Sequence, residues 1–206
     1  MTADRQAHAT DESDDSQLAS RIARDDRLAL CFLHEAYYPR LARLFSHLTT
    51  TRDPEPIQQL IEETMLNVWT QRESLDADTS VYVWIMRLAF DQARRPPGPK
   101  LPLHGYTASF RTARNPERDT ASALDRGPER WVYALLQPLT LEERGVVHFV
   151  CTGHSCQQIA DIMGVPYEQV KALLSRAALY IRGPAAATLR DRYHQGARTS
   201  TIESLP

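Results

Sequence analysis

Residues 155–182 constrain the fold more than any other stretch of the chain. Ser155 followed three residues later by Gln158 is a capping-box pattern, which predicts the start of a helix. An apolar stripe follows and stops at Gly164, a residue typical of helix ends. Pro166 suits the first position of a second helix, because the N–H that proline lacks would be unpaired there. The stretch therefore predicts two short helices joined by a tight turn.

The second of these helices has an apolar face. Its apolar residues recur at helical spacing: Val170, Leu173, Leu174, Ala177, Ala178 and Ile181. Gly183 and Pro184 end the pattern. Two helices around a glycine-containing turn are typical of a DNA-binding helix-turn-helix, whose second helix enters the major groove. The alternative is an ordinary corner between two helices of a helical protein.

Composition limits the class of protein. A chain of 206 residues makes one domain of ordinary size or two small ones. The mean hydropathy is −0.44, and no apolar run approaches the roughly 20 residues of a membrane span. The polar, acidic N-terminus resembles neither a signal nor a transit peptide. Three cysteines argue against a disulfide framework. We expect a cytoplasmic protein that does not insert into a membrane.

The distribution of charge does not suit a protein that binds DNA unaided. Residues 1–16 hold five acids against one arginine, and residues 129–183 balance five acids with five bases. A protein that binds DNA by itself normally carries a basic surface, because phosphate contacts supply much of the affinity. If the predicted helix-turn-helix contacts DNA, another component must supply part of the binding energy.

The rest of the chain predicts an all-α fold. Apolar residues recur at helical spacing up to Arg95, and strand signals are nearly absent. Pro96-Pro97-Gly98-Pro99 then stops the last helix. The chain divides into an acidic disordered tail (1–17), a helical domain (18–95), a Pro-rich flexible linker (96–128), a helix-turn-helix domain (129–184) and a second tail (185–206). We therefore predict two small helical domains joined by a linker.

The C-terminal motifs follow a known family pattern, L-x-x-x-x-R…G-x-S-x-x-E-I-A-x-x-L-G-x-x-x-x-T-V-K-S-R-L-x-R-A. The matching residues are Leu139, Arg144, Gly153, Ser155, Ile159, Ala160, Gly164, Val170, Lys171, Leu174, Arg176 and Ala177. In the N-terminal domain, residues 59–69 are similar to D-L-V-Q-E-x-F-L-x-x-W, and residues 84–89 to W-L-x-R-I-A. Together these motifs resemble the extracytoplasmic-function sigma factors, the group IV members of the sigma-70 family.

This resemblance implies a transcription initiation factor that binds core RNA polymerase and promoter DNA, with an anti-sigma factor as a further partner. The residues implied to contact the −35 element are Gln169, Lys171, Ser175 and Arg176. Those implied to contact the −10 element are Trp84, Arg87, Arg94 and Arg95. Those implied to contact core polymerase are Leu60, Ile61 and Glu63. In the family, the linker runs towards the active-site channel of polymerase.

Five positions depart from the family pattern: Gln59, Phe90, Asp91, Ala172 and Leu173. The family has Arg-Asn in place of Phe90-Asp91 and Ser-Arg in place of Ala172-Leu173. Losing an arginine removes a donor for phosphate or guanine, and Asp91 would repel a DNA backbone. Two alternatives therefore stay open. One is a sigma-like protein that binds an anti-sigma factor or other regulator without initiating transcription, and the other is an ordinary helix-turn-helix repressor.

No pattern in the chain indicates catalysis. The motifs of phosphate-binding loops, dinucleotide folds, zinc proteases and serine hydrolases are all missing from the sequence. His148, Cys151, His154 and Cys156 cluster, but their spacing matches none of the usual zinc modules. We expect a protein that is not an enzyme, with no metal and no cofactor.

Overall fold

A computed structural model describes residues 15, 17–51, 53–74, 80–95, 130–183 and 187. Every regular element in these ranges is helical, so the predicted all-α class is confirmed. The helices are α1 (Arg27–Thr49), α2 (Pro54–Thr70), a 3₁₀ turn (Arg72–Ser74), α3 (Val81–Arg94), α4 (Arg130–Leu136), α5 (Leu141–Cys151), α6 (Cys156–Met163) and α7 (Tyr167–Arg182). The predicted linker 96–128 lies outside the described residues.

The helix starts in the C-terminal half follow local sequence signals. Thr140 and Glu143 form a reciprocal capping box at α5, and Ser155 and Gln158 form another at α6. Each box satisfies N–H groups that have no partner inside the helix. Gly164 ends α6 in the left-handed region, at φ 64°, where a side chain would be strained. These features confirm the capping box at Ser155 and the turn at Gly164 that the sequence predicts.

The second helix of the pair begins one residue later than predicted. Pro166 is the N-cap of α7 rather than its first residue, because its ψ of 145° is still extended. The predicted apolar face is otherwise present: Val170, Leu173 and Ala177 are buried, and α7 ends at Arg182 before Gly183.

The N-cap of α6 should contribute measurably to stability. Ser155→Ala removes the hydroxyl that accepts from the backbone N–H of Gln158. We expect the free energy of unfolding in urea to fall by about 1 kcal/mol. Ser175→Ala is the matched control, because Ser175 is exposed within α7 and alanine favours helix. Equal losses in the two variants would contradict a capping role.

The ordered N-terminal half begins earlier than the predicted domain boundary at residue 18. Asp15 is already helical and buried, and the hydroxyl of Tyr37 in α1 donates a hydrogen bond to its carboxylate. Ala19 and Ile22 then pack into the core. Asp15 therefore packs with the helices rather than belonging to the predicted disordered tail of residues 1–17. Residues 1–14 lie outside the described ranges.

The N-terminal helices α1–α3 and the C-terminal helices α4–α7 pack directly on each other. Helix α3 contacts α6, and α1 contacts α5. One continuous apolar core includes residues of both halves, among them Phe90 of α3 and Phe149 of α5, whose ring centroids are 6.5 Å apart. We call this arrangement the closed form.

No described helix has the length and apolar character that crossing a bilayer requires.

Candidate nucleic-acid interface

Helix α7 presents a polar face opposite its buried stripe. All four predicted −35 residues are exposed on it: Gln169, Lys171, Ser175 and Arg176. The ammonium of Lys171 is 3.3 Å from the carboxylate of Glu168 and 4.8 Å from the ring centre of Tyr167. Exposed pairs of this kind contribute little, at most about 1 kcal/mol. Lys171 can therefore turn towards a phosphate or a base at low cost.

Arg176 differs from its neighbours on α7 because it already has a strong partner. Its Nε donates to a carboxylate oxygen of Glu143 at 3.1 Å, and only 12% of the Glu143 side chain is exposed. The same carboxylate group belongs to the capping box of α5. Arg176 therefore fixes α7 against the start of α5, and only its remaining N–H groups can reach DNA while this ion pair holds.

Two of the predicted −10 residues bind the helix-turn-helix in the closed form. Nε of Arg87 donates to the carbonyl oxygen of Asp161 at 2.9 Å, and Nη2 donates to the same oxygen. Nη1 of Arg94 donates to the carbonyl oxygen of Met163 at 3.2 Å. Both carbonyls belong to the last turn of α6, where they have no partner within the helix and attract cations. The two arginines of α3 thus act as C-terminal caps for α6.

The other two −10 residues are placed differently. Trp84 is half-buried and packs against the shared core. Arg95 is exposed, and its Nη1 lies 3.4 Å from Oε1 of Gln92. The structure therefore brings Arg87 and Arg94 to α6, whereas Arg95 stays at the surface.

The departure from the family pattern at Phe90 has a structural explanation. The ring of Phe90 is fully buried, and Arg94 lies over it at 4.6 Å. A Cβ atom on Gly145 of α5 would lie 2.6 Å from Cε2 of this ring, so glycine permits the close approach of α3 and α5. Leu173, the other position where the family has arginine, is also buried. Both departures replace a charged group with an apolar one inside the core of the closed form.

The predicted polymerase-binding residues on α2 do not share one surface. Ile61 is fully buried in this form, where it packs in the core, and its contact with polymerase stays a prediction. Leu60 is half-buried. Glu63 accepts a hydrogen bond from the side chain of Gln59 at 2.8 Å and another from Gln92 of α3. The spacing from Ile57 to Ile61 to Met65, all buried, is the signal that places Ile61 on the inner face.

Two polar contacts between the halves had no signal in the sequence. Arg144 of α5 donates to the carbonyl oxygens of Leu48 in α1 and of Leu139, the latter at 2.9 Å. Nδ1 of His47 lies 2.9 Å from Nδ1 of His148, which is 101 residues away in sequence. Burial lowers the pKa of His47 to about 4 and that of His148 to about 3, with nearby cations adding to the effect.

The histidine and cysteine cluster does not converge on one point. His148 faces His47, Cys151 is exposed, and the ring of His154 stacks on Tyr82 at 5.3 Å. Within the described ranges, no group of three or more His, Cys, Asp or Glu side chains could hold a metal ion.

Comparisons with known proteins agree with the fold. Residues 33–95 match the family described as Sigma-70 region 2. A curated relative, the ECF RNA polymerase sigma-E factor of Haemophilus influenzae, is 24% identical over 177 residues, which cover 79% of this chain and 90% of the relative. A solved structure, CnrH in complex with the cytosolic domain of CnrY, is similar with a TM-score of 0.59 and 17% identity, over 84% of this chain and 98% of that one. The chain is therefore similar to the extracytoplasmic-function group of the sigma-70 family, and its residues 33–95 carry the match to region 2.

Proposed function

We propose that this chain is a transcription initiation factor that binds core RNA polymerase in the cytoplasm and directs it to promoters through their −10 and −35 elements. The observation that carries the proposal is the match of residues 33–95 to sigma-70 region 2. The exposed polar face of α7, on a helix-turn-helix at the other end of the chain, supports it. In this role the protein itself catalyses no reaction, and polymerase supplies the chemistry.

The −35 element would be read by α7. Gln169 can pair with an adenine edge, and Lys171 can bind a guanine or a phosphate. Ser175 adds a hydroxyl on the same exposed face. Because the C-terminal half carries no net positive charge, these contacts are too few to hold DNA alone. Polymerase would supply the remaining binding energy by holding the DNA against the factor.

The −10 element would be held by α3 only after the molecule opens. In the closed form Arg87 and Arg94 each bind a carbonyl group of α6, so part of each guanidinium is already occupied and is held against the helix-turn-helix. Separation of the halves would release both arginines and expose the surface around Trp84. We infer that the closed form is the resting state and that binding to polymerase, through α2 residues such as Leu60 and Glu63, favours the open form.

Run-off transcription tests the proposal. Holoenzyme reconstituted from core polymerase and this protein should give promoter-dependent transcripts on genomic fragments. Lys171→Gln should reduce transcription from promoters that have a −35 element by about tenfold or more, the effect of one lost base contact. Arg24→Gln, which removes an exposed cation far from α7 in sequence, is the control. A protein that binds core polymerase but yields no transcripts would contradict the proposal.

A second candidate is a sigma-like protein that binds an anti-sigma factor or other regulator without initiating transcription. Two observations favour it: Phe90 occupies a position where the family has arginine, and the similar structure of CnrH holds the cytosolic domain of another protein. Purification from cells distinguishes the two candidates. Recovery of a regulator without polymerase would support the second, and recovery of polymerase subunits in stoichiometric amount would support initiation.

A further inference from the structure

A pair of histidines joins the two halves of the closed form. His47 lies near the C-terminal end of α1 and His148 lies in α5, with ring centroids 5.1 Å apart and planes inclined by 68°. The separation of 2.9 Å between the two Nδ1 atoms is a hydrogen-bond distance. Such a bond needs one Nδ1 to carry a hydrogen and the other to offer a lone pair. The contact therefore fits two neutral imidazoles.

Added protons have no favourable place in this contact. The accepting ring can take a proton only at Nδ1, which would set two donors against each other, and the donating ring can take one only at Nε2, which would place a cation in a largely buried contact. The electrostatic influences on the two rings all lower the pKa: Arg43 of α1 acts on both rings, and His47 and His154 act on His148. Tyr133 of α4 faces His47, with ring centroids 6.0 Å apart.

Among the described residues, no acidic group acts on the pair to compensate an added positive charge. Arg144, one turn before His148 on α5, adds a further guanidinium at the end of α1. Tyr82 of α3 covers His154 and adds no charge at neutral pH; burial raises its pKa further above the ordinary value, to about 12.

We propose that the His47–His148 pair is an acid-sensitive latch, which holds the two halves together while both rings are neutral and releases them when the pair is protonated. The proposal rests on the proposed function for its biological meaning, since opening would release Arg87 and Arg94 for promoter DNA. The opening itself is a property of the chain alone and can be measured without polymerase.

The direction of the effect follows from linkage. Burial holds the pKa of both rings below the ordinary value of about 6.5 in the closed form. Separation of the halves exposes the rings and restores the ordinary pKa, so the open form binds more protons below pH 6.5. The closed form is therefore favoured above that pH and loses its advantage as the pH falls. From pH 7.5 to pH 5.5, we expect the ratio of open to closed molecules to rise about tenfold for each histidine.

A distance measurement in the full chain tests the latch. Fluorophores placed through unnatural amino acids at Thr70 in α2 and Leu179 in α7, both exposed, report the separation of the halves. The free protein should show more of the long-distance population at pH 5.5 than at pH 7.5. The double variant His47→Gln/His148→Phe should lose this dependence on pH, whichever population it favours at pH 7.5.

Two controls separate opening from other effects of acid. His34→Gln should keep the pH response of the wild type, because His34 is half-buried beside Tyr38 of its own helix and takes no part in the His47–His148 contact; burial also lowers its pKa to about 4. Far-UV circular dichroism should stay constant from pH 7.5 to pH 5.5. Three results would overturn the latch: an unchanged distance in the wild type, a double variant that responds like the wild type, or a loss of helicity in step with the distance.

Discussion

Replacing Phe90 with arginine is expected to open the free protein and to raise its affinity for core RNA polymerase. Phe90 is fully buried where α3 meets Gly145 and Phe149 of α5. A guanidinium at this place would be a buried charge without a partner, which costs about 3–5 kcal/mol. This corresponds to at least a hundredfold shift towards the open form. A partner that binds only the open form should then bind more tightly, because less of its binding energy is used for opening.

The measurements are the distance between labels on the two halves and the dissociation constant for core polymerase. Phe32→Arg is the matched control, because it makes the same change at an exposed position of α1 and should alter neither value. Gly145→Ala approaches the same contact from α5, where the new Cβ would clash with the Phe90 ring, and it should also favour opening. If both Phe90→Arg and Gly145→Ala stay folded and closed, the packing of α3 against α5 does not control access to the −10 residues.

Alanine substitutions on the inner and outer faces of α2 should have different effects. Ile61→Ala removes a fully buried side chain and should lower the free energy of unfolding by about 2–5 kcal/mol. Leu60→Ala, its half-buried neighbour, should cost less stability and should weaken binding to core polymerase instead. Urea denaturation measures the first effect, and titration of labelled protein with core polymerase measures the second.

The opposite pattern, in which Ile61→Ala leaves stability intact and Leu60→Ala unfolds the protein, would reverse the assignment of the two faces. A normal dissociation constant for folded Leu60→Ala would remove Leu60 from the proposed polymerase surface.

Local features of this fold could be predicted from the sequence. The capping boxes at Thr140 and Ser155 and the turn at Gly164 depend on residues within one or two helical turns. Such interactions have fixed spacings, so the sequence alone reveals them. The predicted start of α7 was wrong by one residue, because proline can serve either at the N-cap or just after it. The extended ψ of Pro166, which decides between the two positions, is a property of the turn.

Contacts between the halves could not be predicted. Arg87 and the carbonyl of Asp161 are 74 residues apart, and nothing about an arginine in an exposed helical position indicates that it caps another helix. The burial of Ile61 was not taken into account because family resemblance marks a stretch of helix rather than the face that contacts a partner. Phe90 was recognised as a departure, but its role became apparent only from the packing of its ring beside Gly145.

The most direct test of the account is a distance measurement on the same molecule in two situations. Labels at Thr70 and Leu179 should report one short distance in the free protein at neutral pH. They should report a longer distance in a holoenzyme that produces promoter-dependent transcripts. An unchanged short distance in a transcribing holoenzyme would contradict the claim that this chain holds Arg87 and Arg94 against α6 in a closed form and must open to use them.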